Sequence, residues 1–190
     1  MPEIKTLAVI GAGIMGRGIA HLAALGGYRT IVEDVLPAAL RKAEDEIRAS
    51  FDNAVELQKI TANDAEAAMK RIEYASSVEE AAREADLVIE AVPDEMESKV
   101  EIFTLLDKIC RPGTILATNT SSLSVTEIAS VTYRAKKCVG MHFFNPVHKM
   151  KLLEIVRALE TDDETIAAVA AVGQRMGKEV VVINESAVCL

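Results

Sequence analysis

Leu7-Ala8-Val9-Ile10-Gly11-Ala12-Gly13-Ile14-Met15-Gly16, with Arg17 and Gly18 just beyond, is the stretch that decides the fold. An apolar run ends in glycines at the G-x-G-x-x-G spacing, and a long segment with an apolar face follows. This predicts a strand, a tight turn and a helix. Gly11 allows the turn, Gly13 lets a phosphate approach the backbone, and Gly16 lets the helix pack closely on the strand. The turn, with Ile14 and Met15, then offers free N–H groups at a helix start, where the helix dipole favours an anion.

A second apolar run, Arg29-Thr30-Ile31-Val32-Glu33-Asp34, ends in an acid near the distance of about 20 residues at which such folds place a ribose-binding carboxylate. Asp34 can take both hydroxyls of an adenosine ribose and would repel a 2′-phosphate. The pair of signals therefore points to NAD rather than NADP. The plainer alternative is a structural turn followed by a surface acid.

The chain has 190 residues, enough for one sizeable domain. Half of them are hydrophobic and 26% are charged, a globular balance. A formal charge of −8 without a basic tract argues against a nucleic-acid binder. It leaves room for a phosphorylated ligand, because backbone N–H groups can build a local anion site. Cys110, Cys138 and Cys189 are widely spaced with no C-x-x-C, which predicts a reduced, cytoplasmic chain and no metal site. The first strand begins almost at Met1, leaving no room for a signal peptide, and no apolar run approaches membrane-spanning length.

In order, the pattern predicts a strand over Ile4–Ile10, a helix over Ile14–Leu25 stopped by Gly26-Gly27, and a strand ending near Asp34. His21 reads as a structural helix histidine. From Pro37 to about residue 70 runs a charge- and alanine-rich helical region, broken near Thr61-Ala62-Asn63-Asp64. Two helices in a hairpin are expected there, with Asn63 or Asp64 near a cap, long enough to project from the sheet. Strands follow at Arg71–Tyr74, Asp86–Val92 and Thr114–Thr118, with helices from Ser77 and from Asp94 to Ile109. The rhythm then changes to strands at Cys138–Phe144 and Lys151–Val156 across Asn145-Pro146, a helix over Asp163–Met176 and a strand over Glu179–Ile183. The fold class is α/β: a doubly wound, Rossmann-type, mostly parallel sheet with a helical hairpin insertion, one domain over residues 1–190.

Ligands of such sheets bind beyond the carboxyl ends of the strands. Thr114–Thr118 runs out into Asn119-Thr120-Ser121-Ser122-Leu123-Ser124. Ser124 and Glu127 form a capping-box pattern, which leaves Asn119, Ser121 and Ser122 free for a ligand. His142, at the end of an apolar strand, could be an ordinary core histidine. Glu154, inside Lys151-Leu152-Leu153-Glu154-Ile155-Val156, argues for more, because a carboxylate in an apolar strand is costly without a partner. If the two strands run back along each other, the pair can meet. The carboxylate would fix the imidazole tautomer and leave the other nitrogen as a general base.

At these residues the chain resembles the N-terminal, NAD-binding domain of the L-3-hydroxyacyl-CoA dehydrogenases, including the bacterial 3-hydroxybutyryl-CoA enzymes. The resemblance rests on the glycine turn, on Asn119-Thr120-Ser121-Ser122-Leu123 and on His142-Phe143-Phe144-Asn145-Pro146. It implies NAD-dependent oxidation of the 3-hydroxyl of a short-chain acyl-CoA, or the reverse, in fatty-acid or butanoate metabolism. By resemblance His142 is the catalytic base, Glu154 the acid that orients it, and Ser121 the residue that holds the substrate oxygen. Asp94, Lys99, Asn119 and Asn145 match cofactor-contacting and site positions. Ser50 and Lys59, on the hairpin, fall near the family's CoA contacts. A homo-oligomer is also implied.

In the family the last strand leads through a Pro-Gly-Phe turn into a helical domain. That domain carries a further site asparagine and most of the dimer contact. Here Asn184-Glu185-Ser186 is followed by Ala187-Val188-Cys189-Leu190, so that C-terminal helical domain is expected to be absent and turnover weak. The rival readings are an NAD- and acyl-CoA-binding domain that does not turn over, a related NAD-dependent hydroxy-acid reductase, and an interaction protein that kept the fold.

Overall fold

The structure, a computed structural model, describes residues 3–185. The expected departure over Ala187–Leu190, with Cys189, lies outside the described residues. Strands and helices alternate as β1 (Thr6–Ile10), α1 (Ile14–Leu25), β2 (Arg29–Glu33), α2 (Pro37–Glu56), α3 (Ala62–Met69), β3 (Ile72–Ala75), α4 (Val78–Ala82), β4 (Leu87–Glu90), α5 (Met96–Ile109), β5 (Ile115–Thr118), α6 (Val125–Ser130), β6 (Cys138–Phe143), β7 (Leu152–Arg157), α7 (Asp163–Arg175) and β8 (Glu179–Asn184).

All eight strands form one sheet in the order β3-β2-β1-β4-β5-β6-β7-β8. Strands β1 to β6 run parallel, whereas β7 returns antiparallel to β6 and β8 lies parallel to β7. The strand order reverses between β1 and β4, so the carboxyl ends of those strands open a crevice at the switch point. The central strands read as continuous apolar runs because both faces are covered. One face packs Leu7, Val9 and Ile89 against α1, α2, α3 and α7; the other packs Ala8, Ile10 and Val88 against α4, α5 and α6.

Several expectations need local correction. The hairpin does not stand off the sheet: Ala43, Ile47 and Phe51 of α2 and Ala65 and Ala68 of α3 are buried against α1. Its second helix is capped by Thr61, whose hydroxyl accepts from Asp64 N while the Asp64 carboxylate accepts from Thr61 N. The helix expected from Asp94 starts at Met96 with Glu95 at its N-cap, and the Asp94 carboxylate accepts from Ser121. The capping box at Ser124 is half formed. Ser124 Oγ accepts from Glu127 N, but the carboxylate at this helix start is that of Glu185, which accepts from the backbone N–H and the hydroxyl of Thr126.

Candidate active site

A cleft of about 830 Å³ opens at the switch point, lined by both glycines of the turn, Asp34, Asp94, Asn119, Ser121, His142 and Asn145. The turn is held by Gly11, whose φ of +99° suits glycine and whose N–H donates to Glu33 O at 2.9 Å. An added side chain there would press on Ala91 O at 2.9 Å. Gly16 takes the packing role and does not line the cleft; a Cβ on it would fall 1.8 Å from Gly11 O. Gly13 is the reverse case, with open space on its Cβ side. It is the N-cap of α1 and no side chain caps that helix. The first-turn N–H groups therefore face the cleft without a side-chain acceptor, a fit for the pyrophosphate of a dinucleotide.

Asp34 stands at the β2 end of the cleft. Its Oδ2 accepts from Ala12 N at 3.1 Å and its Oδ1 from Leu36 N at 2.9 Å, which aims the carboxylate across the turn. At the far end, β6 and β7 set His142 directly opposite Glu154, with Nδ1 2.8 Å from Oε2. A carboxylate at this distance favours the tautomer with its proton on Nδ1, which leaves Nε2 as the acceptor nitrogen. The Phe144 ring, centred 4.2 Å away, limits the imidazole on one side.

Asn119 ties β5 to β6. Its side-chain oxygen accepts from Phe143 N at 3.0 Å, fixing the loop after β5 to the strand that carries His142. Ser121 is exposed at the mouth, its hydroxyl 3.3 Å from Asp94 Oδ2. Burial pushes the Asp94 carboxyl up, but hydrogen bonds from Thr120 and Ser121 and the Lys99 charge outweigh it and hold it below the usual range.

Lys99, expected at the cofactor, lies beneath the cleft wall and does not line it, with Nζ 3.6 Å from Asp94 Oδ1. It is fully buried, donating to Glu90 Oε1 at 2.8 Å, Glu90 Oε2 at 3.0 Å and Asn119 O at 3.1 Å. Glu90 also accepts from Thr118 Oγ1 at 2.6 Å and Val92 N at 2.8 Å. Lys99 thus acts through the loop it pins. Burial raises the Glu90 carboxyl despite the opposing Lys99 charge.

Ser50 lies outside the main cleft. It lines an adjoining pocket of about 170 Å³ with Arg17, His21, Asn145 and His148, and Ile14 and Asn145 border both spaces. His21 is 5% exposed and stacks on Phe51 at 4.0 Å, as a structural histidine should, yet its Nδ1 has no hydrogen-bond partner. Lys59 is exposed past α2, close enough for its charge to act on His148. Two further acids carry no signal of their own in the sequence motifs: Glu33, which lines the cleft, and Glu90, buried beneath Lys99. Both sit inside apolar strands, the signal that singled out Glu154.

A glycine turn leading into an uncapped helix start, an acid at the end of β2 and a histidine–carboxylate pair, all on one cleft, define a dinucleotide-binding domain of the Rossmann type. The sequence pattern of the 3-hydroxyacyl-CoA dehydrogenase NAD-binding domain matches residues 6–186. The chain is 44% identical over 183 residues to a probable 3-hydroxybutyryl-CoA dehydrogenase of Bacillus subtilis, covering 96% of this chain and 63% of that protein. It is 39% identical to the 3-hydroxyadipyl-CoA dehydrogenase of Escherichia coli, covering 94% of this chain and 38% of that protein. The crystal structure of (S)-3-hydroxybutyryl-CoA dehydrogenase from Ralstonia eutropha superposes with a TM-score of 0.93 at 38% identity, over 97% of this chain and 65% of that one. The chain belongs to the 3-hydroxyacyl-CoA dehydrogenase family, as its NAD-binding domain, and spans less than two thirds of these relatives' length.

Proposed function

We propose that this chain serves the NAD-dependent oxidation of L-3-hydroxyacyl-CoA to 3-ketoacyl-CoA, or the reverse, with a short chain such as 3-hydroxybutyryl. The observation that carries it is the His142–Glu154 pair on the cleft that also holds the glycine turn and Asp34. Bound NAD supplies the hydride acceptor. The first-turn N–H groups of α1 hold its pyrophosphate and Asp34 its adenosine ribose. Asp94, Asn119 and Asn145 face its nicotinamide half, and Lys99 and Glu90 hold that loop in place. His142 Nε2 takes the proton of the substrate hydroxyl, and Glu154 stabilises the imidazolium that results. Help of this kind is worth about 10²–10⁴-fold in rate. Ser121 holds the substrate oxygen. Ser50 and Lys59 lie on the side from which CoA would enter.

The one-domain reading over residues 1–190, homo-oligomerisation and a cytoplasmic setting belong to the same proposal. Val181, Val182 and Ile183 are 47%, 45% and 39% exposed on β8, a sheet edge, which favours association. Cys110 and Cys138 are free and buried, as in a reducing compartment. Mixing the chain with NADH and acetoacetyl-CoA tests the activity. Oxidation of NADH with the CoA thioester and not with free acetoacetate is expected. Binding of NADH without any oxidation would leave a binding domain, and equal use of the free acid a different reductase.

A further inference from the structure

Strand β2 reads Arg29-Thr30-Ile31-Val32-Glu33, so an acid ends an otherwise apolar run. Glu33 is 3% exposed, set between Ile10 on β1 and Ala75 on β3. Glu33 lines the main cleft beside Asp34, four strands across the sheet from His142 on β6. Its Oε1 is buried with no hydrogen-bond partner. Buried carboxyl oxygens rarely stay unpaired, and the cleft is the side from which a partner can come.

We propose that Glu33 is a second adenosine-binding acid, which holds the base or ribose through its free oxygen while protonated and so makes cofactor affinity depend on pH. The proposal rests on the reading of the cleft as an NAD site. A protonated carboxyl both donates and accepts, which suits the mixed donors and acceptors of an adenosine. Asp34 already supplies a carboxylate at this end, and a second charge beside it is opposed. Burial first, and the Asp34 charge second, push the Glu33 carboxyl up to about 7, against a hydrogen bond from the Gly11 backbone. Among the described residues, no cation on the packed elements offsets this. β1 carries no titratable side chain, α4 presents Val78 with Glu79 paired to Arg83 and Glu80 exposed, and α5 presents Ile102. On β3, Glu73 is paired to Arg29. The incoming cofactor buries the carboxyl further and adds the pyrophosphate's negative charge, both of which favour the neutral form.

Calorimetric titration of the chain with NADH and with ADP-ribose, at about pH 6 and about pH 8, tests this. Wild-type affinity for both ligands should fall about tenfold over that range. Glu33→Gln, neutral throughout, should match wild type within about twofold at the lower pH and lose the fall. Glu33→Val should bind ADP-ribose on the order of fivefold more weakly at the lower pH. A purely structural Glu33 would change thermal stability without moving the pH slope of ADP-ribose binding. A flat wild-type profile, or a Gln variant with the wild-type slope, overturns the proposal alone. Wild type that binds neither ligand overturns the NAD reading and this proposal with it.

Discussion

His142 and Glu154 are cross-strand partners on β6 and β7, and their side chains meet at 2.8 Å between Nδ1 and Oε2. The orientation of the imidazole is therefore set by the register of a ladder rather than by a loop. The turn between them at Asn145-Pro146 can vary without moving the pair, provided the register holds. Glu154→Gln keeps a hydrogen-bonding group in place and removes the charge. It should lower kcat by a part of the roughly 10²–10⁴-fold that general-base help supplies, with little change in KM. Steady-state kinetics with acetoacetyl-CoA reads this, and an unchanged kcat would remove the carboxylate from the reaction.

Asp34 is held between Ala12 N and Leu36 N, so its carboxylate cannot swing away from a 2′-phosphate. NAD should bind well and NADP poorly. Asp34→Asn should narrow the gap by at least about tenfold, since like charges brought together cost several kcal/mol. Fluorescence titration with NADH and NADPH checks it; equal affinities in wild type would contradict the ribose assignment.

Much of this was legible in the sequence. Helix α1 runs over Ile14–Leu25 as its periodicity requires, and the glycine turn sits where the spacing puts it. The His142–Glu154 contact followed from one argument about a carboxylate in an apolar strand. The same argument applies to Glu33 and Glu90, whose strands were read for apolar character alone. Lys99 could not be read correctly from its position. Whether a lysine on α5 faces the cleft or the sheet depends on the acid waiting beneath it, and Glu90 captures it. The half-formed cap at Ser124 has a similar origin, since Glu185 reaches that helix from just past the end of β8, far along the chain.

The buried Lys99–Glu90 pair makes a stability prediction. Lys99→Met leaves a fully buried carboxylate with Thr118 and the Val92 N–H but no cation. The expected loss is about 3–5 kcal/mol by denaturant unfolding, and Glu90→Gln in the same chain should recover part of it. Equal stability of wild type and Lys99→Met would show that the pair contributes nothing.

His21 and Glu33 predict opposing pH dependences. Burial, then His148, hold the His21 imidazole down from its usual 6.5 to about 4, so its contribution is present above 6.5 and lost as pH falls toward 4. Glu33 is raised from 4.5 to about 7, so its contribution is present below 4.5 and lost as pH rises through 7. Each is on the order of 3 kcal/mol. Between about pH 4.5 and 6.5 the slopes oppose, and wild-type stability should be nearly flat. His21→Gln should then unmask stability that falls with rising pH, and Glu33→Gln stability that rises. Unfolding midpoints over that range decide the matter, and two variants with the wild-type profile would exclude both assignments.

We propose His142 as the base of an acyl-CoA dehydrogenation carried out in the cleft of the glycine turn. The most direct test is His142→Gln, assayed for NADH oxidation with acetoacetyl-CoA and titrated with NADH in parallel. Turnover should fall by about 10²–10⁴-fold while NADH affinity stays within about twofold of wild type, because Asp34 and the α1 turn lie elsewhere on the cleft. A variant that turns over at the wild-type rate would remove His142 from the reaction.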